Sequence, residues 1–250
     1  MKKLLGMSFF LIILFTSCAS NEEVGKGIDK NEVETIAKQY GYKVEDLNPE
    51  IEIYKVKSTN ELRILLEKIK NNFDTSKIQK KGTSQNLNDS DINRLTDSIN
   101  NLFSSRSKSE IKKNTVSQIT AKDVPPFAHS VTYYFDNNFP CANVALTINY
   151  NTNAAGQIIN AEINSFSYGY AWGNTYAQTN VNMMIQNGIL VFQVNGGFSS
   201  SIGVGSYSLT NTNHVIYTGV YSNGLQSGGG GGWVKQEPND HTDPANNRLT

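Results

Sequence analysis

Between Val124 and Val234 the chain runs for 111 residues with two formal charges, Asp136 and Glu162, and with neither Lys nor Arg. A soluble domain of average composition would carry roughly 28 charges in such a span. Asn, Ser, Thr, Gly and Tyr supply the polarity instead. The apolar residues of this window alternate. Val131, Tyr133 and Phe135 share one face, as do Val144, Leu146, Ile148 and Tyr150. Such a period of two is that of half-buried strands. A long run from Gln157 to Trp172 follows, then Ala177 to Ile185, Leu190 to Val194, Val204 to Thr210 and His214 to Tyr221. Asn187-Gly188 is a strong two-residue hairpin signal. The pattern predicts an antiparallel sandwich or small barrel of about seven strands over residues 124–222. Phosphate, nucleic acid and anionic lipid are disfavoured as its ligands, since Lys and Arg are what hold them. Acid–base groups are equally scarce.

The preceding part is different. Ala19 to Asp123 carries 18 basic and 17 acidic residues, and the composition breaks at Lys122-Asp123-Val124-Pro125-Pro126. Paired prolines favour an extended linker. Asp29-Lys-Asn-Glu32 and Ser58-Thr-Asn-Glu61 have the form of capping boxes. The first opens a stripe of Val33, Ile36, Ala37 and Tyr40, the second one of Leu62, Leu65, Leu66, Ile69 and Phe73. Both have the spacing of core-facing helices. A third helix is expected from Asp91 to Phe103, with Ile92, Leu95, Ile99 and Leu102 in phase. Ile51 to Val56 reads as a strand, and Thr75–Ser90 and Ser104–Thr120 as flexible connectors. Residues 29–123 are thus expected to form an α-rich segment with one or two strands, serving as a spacer. Residues 223–250, with glycines from Gly228 to Gly232, are expected to be a Gly-rich linker and disordered tail. The fold class as a whole is α+β.

The start of the chain has the form of an export signal. Met1-Lys2-Lys3 is positive, Leu4 to Phe15 is apolar and too short to span a bilayer, and Phe15-Thr16-Ser17-Cys18 follows. This resembles a bacterial lipoprotein signal peptide. The resemblance implies removal of residues 1–17, acylation of Cys18 and attachment to the membrane through that lipid. Ala19-Ser20-Asn21-Glu22-Glu23 is similar to the acidic surface-export tag of Bacteroidota lipoproteins, which implies an outer-membrane, surface-exposed placement in the cell envelope. Residues 18–28 would be the tether. The one remaining thiol, Cys141, cannot form an internal disulfide and is read as a small buried hydrophobe.

Glu162 stands out as a candidate binding residue. On a strand it shares a face with Asn160, Asn164, Phe166, Tyr168, Tyr170 and Trp172. Rings beside uncharged amides suit a neutral ring-shaped ligand such as a sugar. Rings at period two also fill sandwich cores, and that is the ordinary reading. A bend near Asn164-Ser165 could exchange the faces. A glycosidase would need Asp136 and Glu162 about 5 to 10 Å apart. His129 and His214 are isolated, and His241 between Asp240 and Asp243 gives a weak ligand set. No metal or cofactor is expected, and the Gly-rich stretches lack the context of phosphate loops. Charge-poor strands lack the usual edge guards. Their edges would then be closed, covered by the N-terminal segment, or paired in a homo-oligomer. The sequence is read as a lipid-anchored envelope protein with a non-catalytic β interaction module, whose partner is a neutral glycan or a protein. The alternatives are a neutral-glycan-binding lipoprotein, a hydrolase using Glu162, and a membrane-inserting β assembly, whose Asn- and Thr-rich outer faces fit poorly.

Overall fold

Two capping residues set the N-terminal helices. The Asp29 carboxylate accepts from the Asn31 N–H ahead of α1 (Lys30–Gln39). The Ser58 hydroxyl accepts from the Glu61 N–H ahead of α2 (Thr59–Asp74), and Glu61 reaches back to the Lys57 N–H. The computed structural model describes residues 27–110, 127–137, 142–169, 173–224 and 230–238. Between and after these helices come β1 (Lys43–Asp46), β2 (Tyr54–Val56), β3 (Lys77–Gly82) and α3 (Asp89–Glu110). Then follow β4 (His129–Phe135), β5 (Asn143–Thr152), β6 (Ile158–Tyr168), β7 (Thr175–Gln186), β8 (Ile189–Val204), β9 (Tyr207–Ser222) and β10 (Gly231–Pro238). The class is α+β, dominated by a β sandwich that curls towards a half-barrel. Seven strands lie beyond residue 123 among the described residues.

Strands β8 and β9 form a hairpin of two 16-residue strands, the spine of a seven-stranded sheet. The order β2-β8-β9-β10-β3 runs through it; β7 pairs with the other part of the β8 edge and β1 with the other part of the β9 edge. The pairing of β2 with β8 is parallel and the others are antiparallel. Strands β4, β5 and β6 form a separate antiparallel sheet in that order. It covers the half of the spine near the β7–β8 turn, with Phe135 against Tyr217 and Tyr150 against Tyr221 at ring-centroid distances of 5.0 and 5.3 Å. Helices α1 and α2 cover the other half. There Phe73 meets Phe198 at 4.8 Å, the Tyr42 hydroxyl bonds Ser200, and Ile28 packs against Gly205. Helix α3 lies on the opposite face of the large sheet, where Ile92, Ile99 and Phe103 enclose Trp233.

Several expectations need correction. The N-terminal segment is no free-standing spacer, because β1, β2 and β3 are hydrogen-bonded into the sheet of the β domain. Strand β3 lies within the expected connector Thr75–Ser90, and α3 extends into the stretch from Ser104. Its stripe is also rotated: Thr96 and Phe103 are buried while Leu95 is 39% exposed. Residues 231–238, expected in the linker and tail, are strand β10, inserted between β9 and β3 with Trp233, Val234 and Gln236 buried. Glycine here serves close approach of backbones, not freedom. A Cβ at Gly231 would meet the Lys81 carbonyl oxygen at 2.6 Å, and one at Gly232 the Val220 carbonyl oxygen at 2.2 Å. The runs Leu190–Val194 and Val204–Thr210 also regroup, since β8 continues to Val204 and the chain turns at Gly205 (φ +57°). The bend sought near Asn164-Ser165 occurs instead in β7, where the register shifts between Gln178 and Asn180. Tyr176 faces the core before that bulge and Val181 after it.

The edge problem is solved by the charged segment. Strand β3 closes one edge of the large sheet, and it carries Lys77, Lys80 and Lys81. Two of these ammonium groups cross to the small sheet: Lys81 donates to the Thr132 carbonyl, and Lys77 to the Asp136 carbonyl and the Asn137 side chain. Edge carbonyls of β4 thus find donors without a partner strand. On the far side β6 meets β7 through side chains. The Ser165 N–H and hydroxyl both donate to Gln178 Oε1, at 2.7 Å each.

Candidate functional site

The site builds from the outer face of the β4–β5–β6 sheet. In β6, Ala161 and Ile163 point into the core, and Asn160, Glu162, Asn164 and Phe166 point out. The reading in which this aromatic face fills the core is therefore overturned for the described part of it. The register decides the rest. Tyr134, Ala145 and Phe166 lie in one row across the three strands, and Asn143 pairs with Tyr168 one step beyond. Ala145, on the outer side, is only 1% exposed because large rings flank it; Tyr134 and Phe166 remain 53% and 50% exposed. Tyr168 packs edge-on to Tyr134 with centroids 5.4 Å apart, and its hydroxyl donates to the Asp136 carboxylate. Desolvation and that hydrogen bond, in this order, push the Tyr168 hydroxyl up to about 12, so it is a neutral donor at ordinary pH.

Below the rings the face is polar and uncharged but for one group. Thr132, Thr147 and Asn164 form the next row, with the two threonine hydroxyls 2.9 Å apart. Ser130, Asn149 and Glu162 form the one after it, followed by Asn151 and Asn160. The Glu162 carboxylate is exposed and accepts from Asn164 Nδ2 at 2.8 Å. From Phe166 to Asn160 the face is roughly 20 Å long, and three strands make it about 10 Å wide.

Of the residues singled out in the sequence, Asn160, Glu162, Asn164 and Tyr168 come together on this face. Tyr170, Trp172, Cys18, Cys141 and His241 lie outside the described residues. Tyr134 and the Thr132–Thr147 pair were missed. Their signal was present, since the residues of β4 opposite in phase to Val131, Tyr133 and Phe135 had to face outward, but only the register places them beside β6. Asp136 and Glu162 do not form a pair. Glu162 is aligned through Asn149 with Ser130 near the start of β4, whereas Asp136 follows the end of that strand, six residues further on. That is roughly 20 Å along the strand, well beyond the separation of glycosidase carboxylates. His129 stacks on Tyr150 at 5.1 Å and His214 is exposed elsewhere. Among the described residues no three His, Cys, Asp or Glu side chains are grouped to hold a metal ion, and no helix is long and apolar enough to cross a membrane. No protein-family model matches the chain, and neither the curated proteins nor the solved structures yield a match.

Proposed function

We propose that the chain is a non-catalytic interaction protein of the cell envelope, held by an acyl group on Cys18, with the outer face of the β4–β5–β6 sheet as its binding surface. One observation carries the reading: Tyr134 and Phe166 stand half exposed in one row, on either side of the small Ala145, on a charge-poor sheet with no covering element among the described residues. Burying large apolar rings on a partner is the ordinary return for leaving them in water. The position of Ile28, at the start of the described residues, is compatible with tethering. Ile28 packs by the β8–β9 turn, while the small sheet covers the other end of a spine of 16-residue strands, roughly 50 Å long. An anchor at Cys18 would join the near end and leave the reading face towards the far one.

The anchor and the face are tested separately. Cells fed an alkyne fatty acid should label the wild-type chain and not Cys18→Ala, and the variant should leave the envelope fraction. A photoreactive residue at position 134 should then capture a partner in cells. An unlabelled wild-type chain would overturn the anchor; an empty crosslink with no ligand found by any route would overturn the face.

A further inference from the structure

The partner's chemistry can be narrowed further, on the footing that this face is the binding surface. The face has two parts. At one end Tyr134, Phe166 and Tyr168 surround the small Ala145. This gives an apolar, ring-sized contact area, with the Tyr168 hydroxyl fixed at its rim by Asp136. Along the remainder run amides and hydroxyls in register. Asn side chains offer donors and acceptors from one group, and threonine hydroxyls do the same. Glu162 adds an acceptor already oriented by Asn164.

Each feature removes a class of ligand. Nucleic acid and acidic polysaccharide need basic groups, and β4, β5 and β6 contain no Lys or Arg. The nearby Lys77 and Lys81 are turned to the backbone of β4 at the seam. A lipid surface would meet rows of Asn and Thr over most of the face, which nothing in hydrocarbon would satisfy. A ligand rich in hydroxyls that both donate and accept, with flat apolar C–H faces and no charge, satisfies both parts at once. The flat ribbon, roughly 20 by 10 Å, suits an extended chain lying along one strand.

We infer that the outer face of the β4–β5–β6 sheet binds a neutral, extended glycan along β6, with a sugar ring seated on Phe166 and Tyr134 and the adjoining units hydrogen-bonded to Asn164, Glu162 and Asn160.

The test uses the full acylated chain in detergent against an array of neutral glucans, xylans, mannans and galactans, with heparin and alginate as charged controls. At least one neutral glycan binds, and Phe166→Ala and Tyr134→Ala each weaken it by about tenfold or more. Asn164→Ala weakens it less. Raising salt from about 0.01 to 1 M leaves the affinity within a factor of two, since no ion pairs are made. Unchanged thermal unfolding of the variants shows that the fold is intact, and the three substitutions fail independently if one does not fold. Binding that survives both ring substitutions overturns the inference, as does binding confined to the charged controls or lost in salt. If no glycan binds and a photoreactive residue at position 134 captures a protein, the glycan falls and the face stands. If neither is found, both fall.

Discussion

Gly232 has no room for a methyl group, with the Val220 carbonyl oxygen 2.2 Å and the Tyr133 hydroxyl 2.9 Å from where a Cβ would stand. The carbonyl belongs to the neighbouring strand and cannot swing aside. Gly232→Ala should lower stability by about 1–3 kcal/mol, read as a lower urea midpoint at unchanged slope. A similar contrast separates two buried tyrosines. The Tyr150 hydroxyl bonds Tyr221 at 3.1 Å and Asn223 at 2.9 Å, whereas the Tyr217 hydroxyl has no hydrogen-bond partner among the described residues. Tyr150→Phe should cost about 1 kcal/mol, while Tyr217→Phe should cost nothing or stabilise, because it removes a buried polar atom. Equal losses from the two would refute the distinction. Neither the glycine contacts nor the tyrosine partners could be read from composition, since they depend on which strands become neighbours.

At the level of elements, Lys77 and Lys81 of β3 lace the large sheet to β4 where no ladder hydrogen bonds do so. Lys81→Met keeps the apolar stem and removes the donor, leaving the Thr132 carbonyl without it. The expected loss is about 1–3 kcal/mol by denaturant unfolding, and a neutral result would show the seam closed by other means. This arrangement also explains what the sequence could and could not reveal. The helical stripes of α1 and α2, the caps Asp29 and Ser58 and the Asn187-Gly188 hairpin were legible because each is set by residues within a few positions. Asn187 takes φ +52° and Gly188 φ +75°, as a primed turn requires. Strands β1, β3 and β10 were not legible. They are short or Lys- and Gly-rich, and only pairing with β9 and one another makes them strands. For the site, alternation along β6 gave which residues share a face, but not which side of the sheet the core takes. That was decided by β4 and β5, whose large apolar residues, Tyr133, Phe135, Leu146 and Ile148, all point to one side.

For the whole molecule, the buried tyrosines predict a limit at high pH. Burial pushes the Tyr176 hydroxyl up from an ordinary value of 10.0 to about 12, and it raises those of Tyr133, Tyr150 and Tyr217 as well. Their contribution is complete below the unfolded value and is lost as pH climbs towards the folded ones. Stability should therefore fall steeply above pH 10.0, with phenolate absorbance and unfolding rising together; smooth ionisation of every tyrosine in an intact fold would contradict this. The topology carries a second consequence, in time rather than energy. Strand β10 fills the gap between β9 and β3, and β3 was synthesised about 150 residues earlier. Until β10 is made, the lysine-bearing strand has nothing to pair with and Trp233 is missing from beneath α3. A nascent chain therefore keeps this edge of the large sheet open until β10, the last of the described strands, has emerged.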